Sequence, residues 1–188
     1  MIIHLLRHGK TAANEQRLYC GSSDQPLSCG GIEQLKQLKT ETQFPIAEQY
    51  VTSGLRRTIE TLKILYDKEP DSIIKELNEY NFGDFEMKNY DELKDNPDYR
   101  LWISGNEMIP CPNGESRKNF RKRICYGFEL IREMNTDSVF VVCHGGVIAS
   151  LMDMLFNGQK KSYDEWLPHN GQGYTIEISC AATTYKPL

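Results

Sequence analysis

The sequence predicts a three-layer α/β domain built on a mainly parallel sheet. Short apolar runs alternate along the chain with stretches of helical periodicity. Two of these runs are continuously apolar, as strands covered on both faces of a parallel sheet must be. The 188 residues include 39% hydrophobic and 26% charged residues, which is ordinary globular composition. We therefore expect residues 1–188 to form a single domain.

The apolar runs give the expected strands. Four runs are predicted to be parallel strands, at residues 2–6, 47–52, 73–74 and 138–143. A fifth run, at residues 173–179, alternates polar and apolar side chains, which predicts a half-exposed antiparallel strand near an edge of the sheet.

Helical periodicity between the strands predicts four amphipathic helices. They cover residues 32–38, 55–66, 120–131 and 147–156. Ser53 is a plausible N-cap of the second helix. Basic residues around the third helix are interpreted as a solvated face: Arg117, Lys118, Arg121 and Lys122.

Between residues 80 and 114 the periodicity loosens into short helical fragments separated by prolines. A long segment of this kind inside a compact domain usually has a functional role. We expect a lid insertion at about residues 80–114.

Charge and composition limit the classes of function. The 22 basic and 26 acidic residues give a net charge of −4, which argues against general nucleic-acid binding. The N-terminal apolar run is too short for a signal peptide or a membrane span. The six cysteines show no Cys-x-x-Cys pair. These features predict a cytoplasmic protein that binds neither nucleic acid nor membrane.

Two histidines indicate a functional site. His8 and His144 each follow an apolar run, and each is followed by glycine. Because ligands bind beyond the carboxyl ends of parallel strands, both rings are expected at one site. Arg7 stands beside the first histidine, and Arg57 lies in the first turn of the helix after the second strand. An arginine side chain can donate two parallel N–H bonds to phosphate oxygens, so the expected ligand is a phosphate ester.

This residue set suits phosphoryl transfer without a metal. Neighbouring guanidinium groups should keep His8 unprotonated and ready to attack phosphorus. A carboxylic acid must then protonate the leaving oxygen, and Glu79 is the candidate, with Glu86 as runner-up. A zinc site made by two histidines and one glutamate is the competing interpretation, although Arg7 would then lie beside a dication.

Six segments, in order, resemble those of the histidine phosphatase superfamily, also called phosphoglycerate mutase-like. They include Arg7-His8-Gly9-Lys10-Thr11-Ala12-Ala13-Asn14, Gly21-Ser22-Ser23-Asp24-Gln25-Pro26-Leu27-Ser28 and Ser53-Gly54-Leu55-Arg56-Arg57-Thr58. The others are Leu77-Asn78-Glu79-Tyr80-Asn81-Phe82-Gly83-Asp84-Phe85-Glu86, Pro112-Asn113-Gly114-Glu115-Ser116 and Val142-Cys143-His144-Gly145-Gly146-Val147.

The resemblance implies an α/β/α sandwich with a mostly parallel six-stranded sheet and no metal or organic cofactor. It implies that His8 becomes phosphohistidine and that Glu79 is the acid. The phosphate pocket is implied to contain Arg7, Arg57 and His144, with Asn14 and Ser22 as further contacts.

Within the superfamily, the short length and the segments at residues 76–79 and 82–87 resemble the α-ribazole phosphatases. That resemblance implies removal of the 5′-phosphate of α-ribazole 5′-phosphate in cobalamin biosynthesis. The expected assembly is a monomer or a homodimer. The alternatives are a broad-specificity phosphatase or a phosphoglycerate mutase acting on a small phosphorylated metabolite, or a catalytically inactive phospho-ligand module. Large side chains of the expected lid could form substrate walls or the lid's own core: Tyr80, Phe82, Phe85, Met87, Tyr99 and Trp102.

Overall fold

A six-stranded sheet forms the centre of the molecule. The computed structural model describes residues 1–188. The strands are β1 (Ile2–Arg7), β2 (Gln49–Thr52), β3 (Ser72–Ile73), β4 (Ser138–Cys143), β5 (Gly173–Ile178) and β6 (Thr183–Pro187). Their order across the sheet is β3-β2-β4-β1-β5-β6. The first four strands in this order are parallel, whereas β5 is antiparallel to both β1 and β6. The predicted mostly parallel six-stranded sheet is confirmed.

Eight helices connect or follow the strands. They are α1 (Ala12–Glu15), α2 (Cys29–Glu41), α3 (Arg56–Tyr66), α4 (Tyr90–Leu93), α5 (Pro97–Ile103), α6 (Arg117–Arg132), α7 (Gly145–Leu155) and α8 (Tyr163–Trp166). Short 3₁₀ turns occupy Lys75–Leu77 and Gly83–Phe85. None of these helices has the length and apolar character needed to span a membrane.

Alternate side chains of β4 enter different hydrophobic clusters, one on each face of the sheet. Val139 and Val141 pack in the cluster that includes side chains of α6 and α7. Phe140 and Val142 pack in the cluster that includes side chains of α2 and α3. Because helices cover both faces, β4 has no solvent-facing positions, which explains its continuously apolar sequence. The result is a three-layer α/β/α sandwich.

Two local expectations were wrong. Strand β6 was missed because its residues are mostly polar and exposed and because the strand ends at Pro187. It therefore lacks the apolar pattern of a core strand. Ser53 is not an N-cap: α3 begins at Arg56, with Leu55 at the N-cap position and no side-chain cap. The Ser53 hydroxyl has a different partner, described below.

Helices α4 and α5 lie within the segment expected to form a lid. The side chain of Asn96 caps α5, and Pro97 occupies its first turn. Tyr99 and Trp102 of α5 are buried in the larger hydrophobic cluster, so this segment carries part of the core. Its movement as a lid stays a prediction.

Candidate active site

The carboxyl ends of β1 and β4 bring the two histidines together. In the parallel register Arg7 lies opposite Cys143, so the next residues, His8 and His144, are neighbours. The His8 N–H donates to the Cys143 carbonyl at 3.0 Å. The two rings are 5.2 Å apart between centroids, and both side chains are buried.

The hydrogen bond made by His8 determines its tautomer. Its Nδ1 lies 2.6 Å from the Gly9 carbonyl oxygen. A carbonyl can only accept, so Nδ1 carries the proton, and the neutral ring has its lone pair on Nε2. Burial, and next the positive charge of Arg57, hold the pKa of His8 well below its usual value. The structure therefore provides an unprotonated Nε2 at neutral pH.

His144 is oriented through both ring nitrogens. The Nε of Arg57 donates to Nδ1 at 3.3 Å, so Nε2 carries the proton and donates to the Ser53 hydroxyl at 2.8 Å. Ser53 in turn lies 3.3 Å from the Thr58 hydroxyl, which donates to the Leu55 carbonyl at 2.7 Å. Burial and the charge of Arg57 also hold the pKa of His144 well below its usual value.

Two arginines face this site without a carboxylate partner. Arg57 is 1% exposed and donates to the carbonyls of Ser23 at 2.8 Å and Gly21 at 2.7 Å. Arg7 donates to the Pro168 carbonyl at 2.8 Å, and its buried Nε has no hydrogen-bond partner. Neither forms a salt bridge within the chain, so an anionic ligand would satisfy a charge that the protein leaves uncompensated.

Glu79 lies beside the start of α7. Its carboxylate accepts from the Tyr80 N–H at 2.9 Å and from the Gly146 N–H at 2.8 Å. A Cβ atom added to Gly146 would lie 2.4 Å from Glu79 Oε1, and one added to Gly145 would lie 3.0 Å from Arg7. A side chain at either position would therefore press on a site residue, on the Glu79 carboxylate from position 146 and on the Arg7 guanidinium from position 145.

Glu86 is occupied elsewhere. Its carboxylate accepts backbone N–H bonds from Gly21, Ser22 and Ser23 at 3.0, 2.9 and 3.3 Å, and from Phe82 at 3.1 Å. It ties together two loops and lies outside the lining of the large cavity described below. The Ser22 hydroxyl is exposed and lies 3.2 Å from Glu86 Oε1, so the structure does not bring it among the buried site residues.

Asn14 is held next to His8 by a residue that the sequence did not reveal. Its Oδ1 accepts from the Thr11 N–H at 3.1 Å and from the Asn170 side chain at 3.3 Å. The same Asn170 amide donates to the His8 carbonyl at 2.9 Å. The available sequence signal is the run Leu167-Pro168-His169-Asn170-Gly171, whose composition is typical of a turn but does not indicate a contact with His8.

A cavity of about 770 Å³ opens beside these residues. Arg7, Asn14 and Glu79 line one part of it, whereas His8, Arg57 and His144 are buried and lie outside its lining. Further lining comes from aromatic side chains: Tyr19, Tyr80, Phe82, Trp102, Phe120 and Tyr163. Three of the six large side chains of the expected lid therefore face the cavity. Phe85 and Tyr99 belong to the core of the expected lid segment, because they are buried and do not line the cavity. Met87 belongs to neither group, since it is 37% exposed and lies outside the lining.

Helix α6 contributes two cations to the same cavity. The Arg117 guanidinium lies 5.2 Å from the centroid of the Trp102 ring. Arg121 bonds Glu107 at 2.8 Å and Asp153 at 2.5 Å. The expected solvated face is thus wrong for these two arginines, although Lys118 and Lys122 are exposed. Periodicity placed all four on α6, but it could not show which neighbours the helix faces.

The competing zinc geometry is not formed. Both ring nitrogens of His144 are engaged, by Arg57 and Ser53, and the Glu79 carboxylate is held by backbone N–H groups. No three His, Cys, Asp or Glu side chains of the chain are grouped so as to hold a metal ion.

The chain is similar to known phosphatases over its whole length. A model of the histidine phosphatase superfamily (branch 1) matches residues 3–186. The adenosylcobalamin/alpha-ribazole phosphatase of Escherichia coli (strain K12) is 34% identical, over 100% of this chain and 95% of that protein. The crystal structure of the alpha-ribazole phosphatase from Shigella flexneri has a TM-score of 0.85 at 28% identity, covering 100% of this chain and 96% of that one. A phosphoglycerate mutase from Thermus thermophilus has a TM-score of 0.72 at 25% identity, covering 94% and 91%. The chain belongs to the histidine phosphatase superfamily.

Proposed function

We propose that this protein is a phosphomonoester hydrolase that works through a phosphohistidine on His8. The observation that carries the proposal is the pair of guanidinium groups, Arg7 and Arg57, which have no carboxylate partner and whose positive charges help to hold the pKa of His8 well below its usual value. A phosphate group supplies the missing negative charge and accepts N–H bonds from both arginines. It would also give the Nε of Arg7 the acceptor that it lacks.

The first step transfers the phosphoryl group to His8. The Nε2 lone pair forms a bond to phosphorus as the P–O bond to the leaving group breaks. The leaving oxygen takes a proton from the Glu79 carboxyl group, which becomes a carboxylate. Glu79 is favoured over Glu86 because it lines the cavity and accepts only two backbone N–H bonds, whereas Glu86 lies outside the lining and accepts four.

The second step returns the enzyme to its starting state. Water attacks phosphorus and gives a proton to the Glu79 carboxylate, while the N–P bond breaks and its electron pair returns to Nε2 of His8. The arginines stabilise the charge on the transferring oxygens in both steps.

We propose that His144 contacts the phosphate through Nδ1, because its Nε2 is bonded to Ser53; donation from Nδ1 requires the proton on that nitrogen. In the structure that nitrogen accepts from Arg57, and the proton lies on Nε2. The Ser53 hydroxyl can donate as well as accept, so it permits the tautomer exchange that a direct contact between His144 and phosphate requires. Asn14, at the edge of the cavity, is the further proposed contact.

We propose α-ribazole 5′-phosphate as the substrate. Relatives that match the full chain carry the name alpha-ribazole phosphatase. A cavity of about 770 Å³ with an aromatic wall has room for a nucleoside beyond the phosphate. All six cysteines are unpaired, which suits the reducing cytoplasm in which this chemistry is proposed to occur.

A broad-specificity phosphatase or a mutase acting on small phosphorylated metabolites is the second candidate. The similarity to a phosphoglycerate mutase structure favours it. A mutase must shield its phosphoenzyme from water until the substrate has turned round, so the two candidates differ in what happens to the phosphoryl group.

The test is phosphate release in EDTA from α-ribazole 5′-phosphate, 3-phosphoglycerate and p-nitrophenyl phosphate. We expect a kcat/KM preference for α-ribazole 5′-phosphate of about a hundredfold, roughly 2.7 kcal/mol of transition-state discrimination. Similar slow rates on all three would favour broad specificity, and isomerisation of 3-phosphoglycerate would favour the mutase. Release from none of them would contradict the proposed hydrolase.

A further inference from the structure

The main chain that carries Glu79 is held by one arginine of α6. Arg123 Nη1 donates to the carbonyls of Glu76 and Asn78, each at 2.8 Å. Its Nη2 donates to the carbonyl of Glu79 at 3.2 Å and to the carboxylate of Glu115 at 2.6 Å. One partly buried guanidinium therefore bonds three carbonyls of a single segment, including that of the proposed acid.

Glu115 holds the other side of Glu79. Its Oε1 accepts from the Asn81 N–H at 2.8 Å, and its own N–H donates to the Asn81 carbonyl at 3.0 Å. Its carbonyl also accepts from the Tyr80 hydroxyl. Arg123 and Glu115 form an ion pair with side-chain exposures of 27% and 15%, so the segment is bonded by this pair both before and after Glu79.

No regular secondary structure holds this segment. Residues 78–82 lie between two 3₁₀ turns and form no strand or helix. Helix α6 approaches closely at Gly127, where an added Cβ atom would lie 2.9 Å from Glu76 and from Leu77. The side-chain bonds from Arg123 and Glu115 thus replace the backbone ladder that would otherwise define where Glu79 stands.

We propose that Arg123 and Glu115 are positioning residues that hold Glu79 where it can protonate the leaving group. The inference rests on the proposed role of Glu79 as the acid. The five N–H donors of Arg123 are all engaged, by the three carbonyls and by the Glu115 carboxylate, and neither residue of the pair lines the cavity. Both therefore act through the main chain and not by touching substrate. Displacing a reacting group by about 1 Å can cost on the order of a hundredfold in rate.

Leaving-group dependence provides the test. R123Q and E115Q are compared with wild type on propyl phosphate, whose alkoxide needs a proton, and on p-nitrophenyl phosphate, whose leaving group hardly needs one. We expect kcat/KM, which reports the steps through departure of the leaving group and not the later hydrolysis of the phosphohistidine, to fall by at least about tenfold on propyl phosphate and by less than about threefold on p-nitrophenyl phosphate. The matched control is R132Q, because Arg132 lies on the same helix, is 47% exposed and bonds only Glu129. It should leave both rates unchanged.

The conservative change E115Q and one further variant, R123K, guard against a general loss of structure. E115Q keeps an amide oxygen that can accept from Asn81, and R123K keeps a positive charge with three donors. R123K should recover part of the propyl phosphate rate that R123Q loses. Equal losses on both substrates in R123Q and E115Q, or no loss on either, would overturn the positioning role.

E79Q separates this inference from the proposed function. If E79Q shows the leaving-group split and the pair variants do not, only the positioning role fails. If E79Q shows no split, Glu79 is not the acid, and the inference falls together with that part of the proposed mechanism.

Discussion

Replacing Gly146 by alanine is expected to displace Glu79 with little effect on the phosphate pocket. The new Cβ atom would lie 2.4 Å from Oε1 and 3.1 Å from Oε2 of Glu79. The shorter contact is roughly 1 Å inside ordinary van der Waals separation, so the carboxyl group must move by about that distance. The same movement weakens the 2.8 Å bond from the Gly146 N–H. A misplacement of about 1 Å predicts a loss of about a hundredfold in kcat/KM on α-ribazole 5′-phosphate.

Steady-state kinetics on two substrates checks this prediction. Gly146→Ala should lose far less kcat/KM on p-nitrophenyl phosphate than on α-ribazole 5′-phosphate, because the p-nitrophenolate leaving group hardly needs an acid. Gly145→Ala should instead impair both substrates, because its Cβ atom would lie 3.0 Å from the Arg7 guanidinium. Gly158→Ala is the neutral control, since no atom lies within 4 Å of its added Cβ. Full activity of Gly146→Ala on α-ribazole 5′-phosphate would refute the reasoning.

Two other perturbations concern the buried histidines. Ser53→Ala leaves the buried Nε2–H of His144 without its partner, so urea titration should show a loss of about 1–3 kcal/mol in the free energy of unfolding; an unchanged midpoint would contradict that bond. Because the folded-state pKa values of His8 and His144 are held well below 6.5, the unfolded chain binds more protons below that pH. The free energy of unfolding should therefore reach its full value above about pH 6.5 and decrease as the pH falls towards about 5. The decrease should be smaller in His8→Asn, because that variant has one buried neutral imidazole fewer. A pH-independent stability over this range would show that these rings are not buried in neutral form.

The fold could be predicted from the sequence in those segments where burial alone determines which residue types occur. Strands β1 and β4 are covered by helices on both faces, so their sequences are continuously apolar and identify them. Strand β6 pairs only with β5 at the edge, and nothing in its exposed polar residues distinguishes it from a loop. The start of α3 was misplaced because Ser53 has the chemistry of an N-cap, but its hydroxyl is engaged by His144 instead.

The sequence predicted individual residues of the candidate site but not the contacts that orient them. Each His-Gly pair followed a recognisable strand, Arg57 lay in the first turn of the expected second helix, and the resemblance agreed with Glu79 as the acid in place of Glu86. The residues that orient these groups were not visible, because their bonds join distant positions of the chain. Asn170 reaches the carbonyl of His8 across 162 positions, and Arg123 reaches the Glu79 carbonyl across 44. Periodicity places such residues on an element but cannot specify the partners that tertiary packing gives them.

The most direct test of the central claim is to trap the phosphoenzyme. Enzyme turning over p-nitrophenyl phosphate is quenched in alkali, where phosphohistidine survives, and its peptides are mapped by mass spectrometry and ³¹P NMR. Because Nδ1 of His8 is bonded to the Gly9 carbonyl, phosphate is predicted on Nε2 of His8, and His8→Ala should show neither label nor turnover. Phosphate on Nδ1 or on His144, or turnover by His8→Ala, would contradict the account.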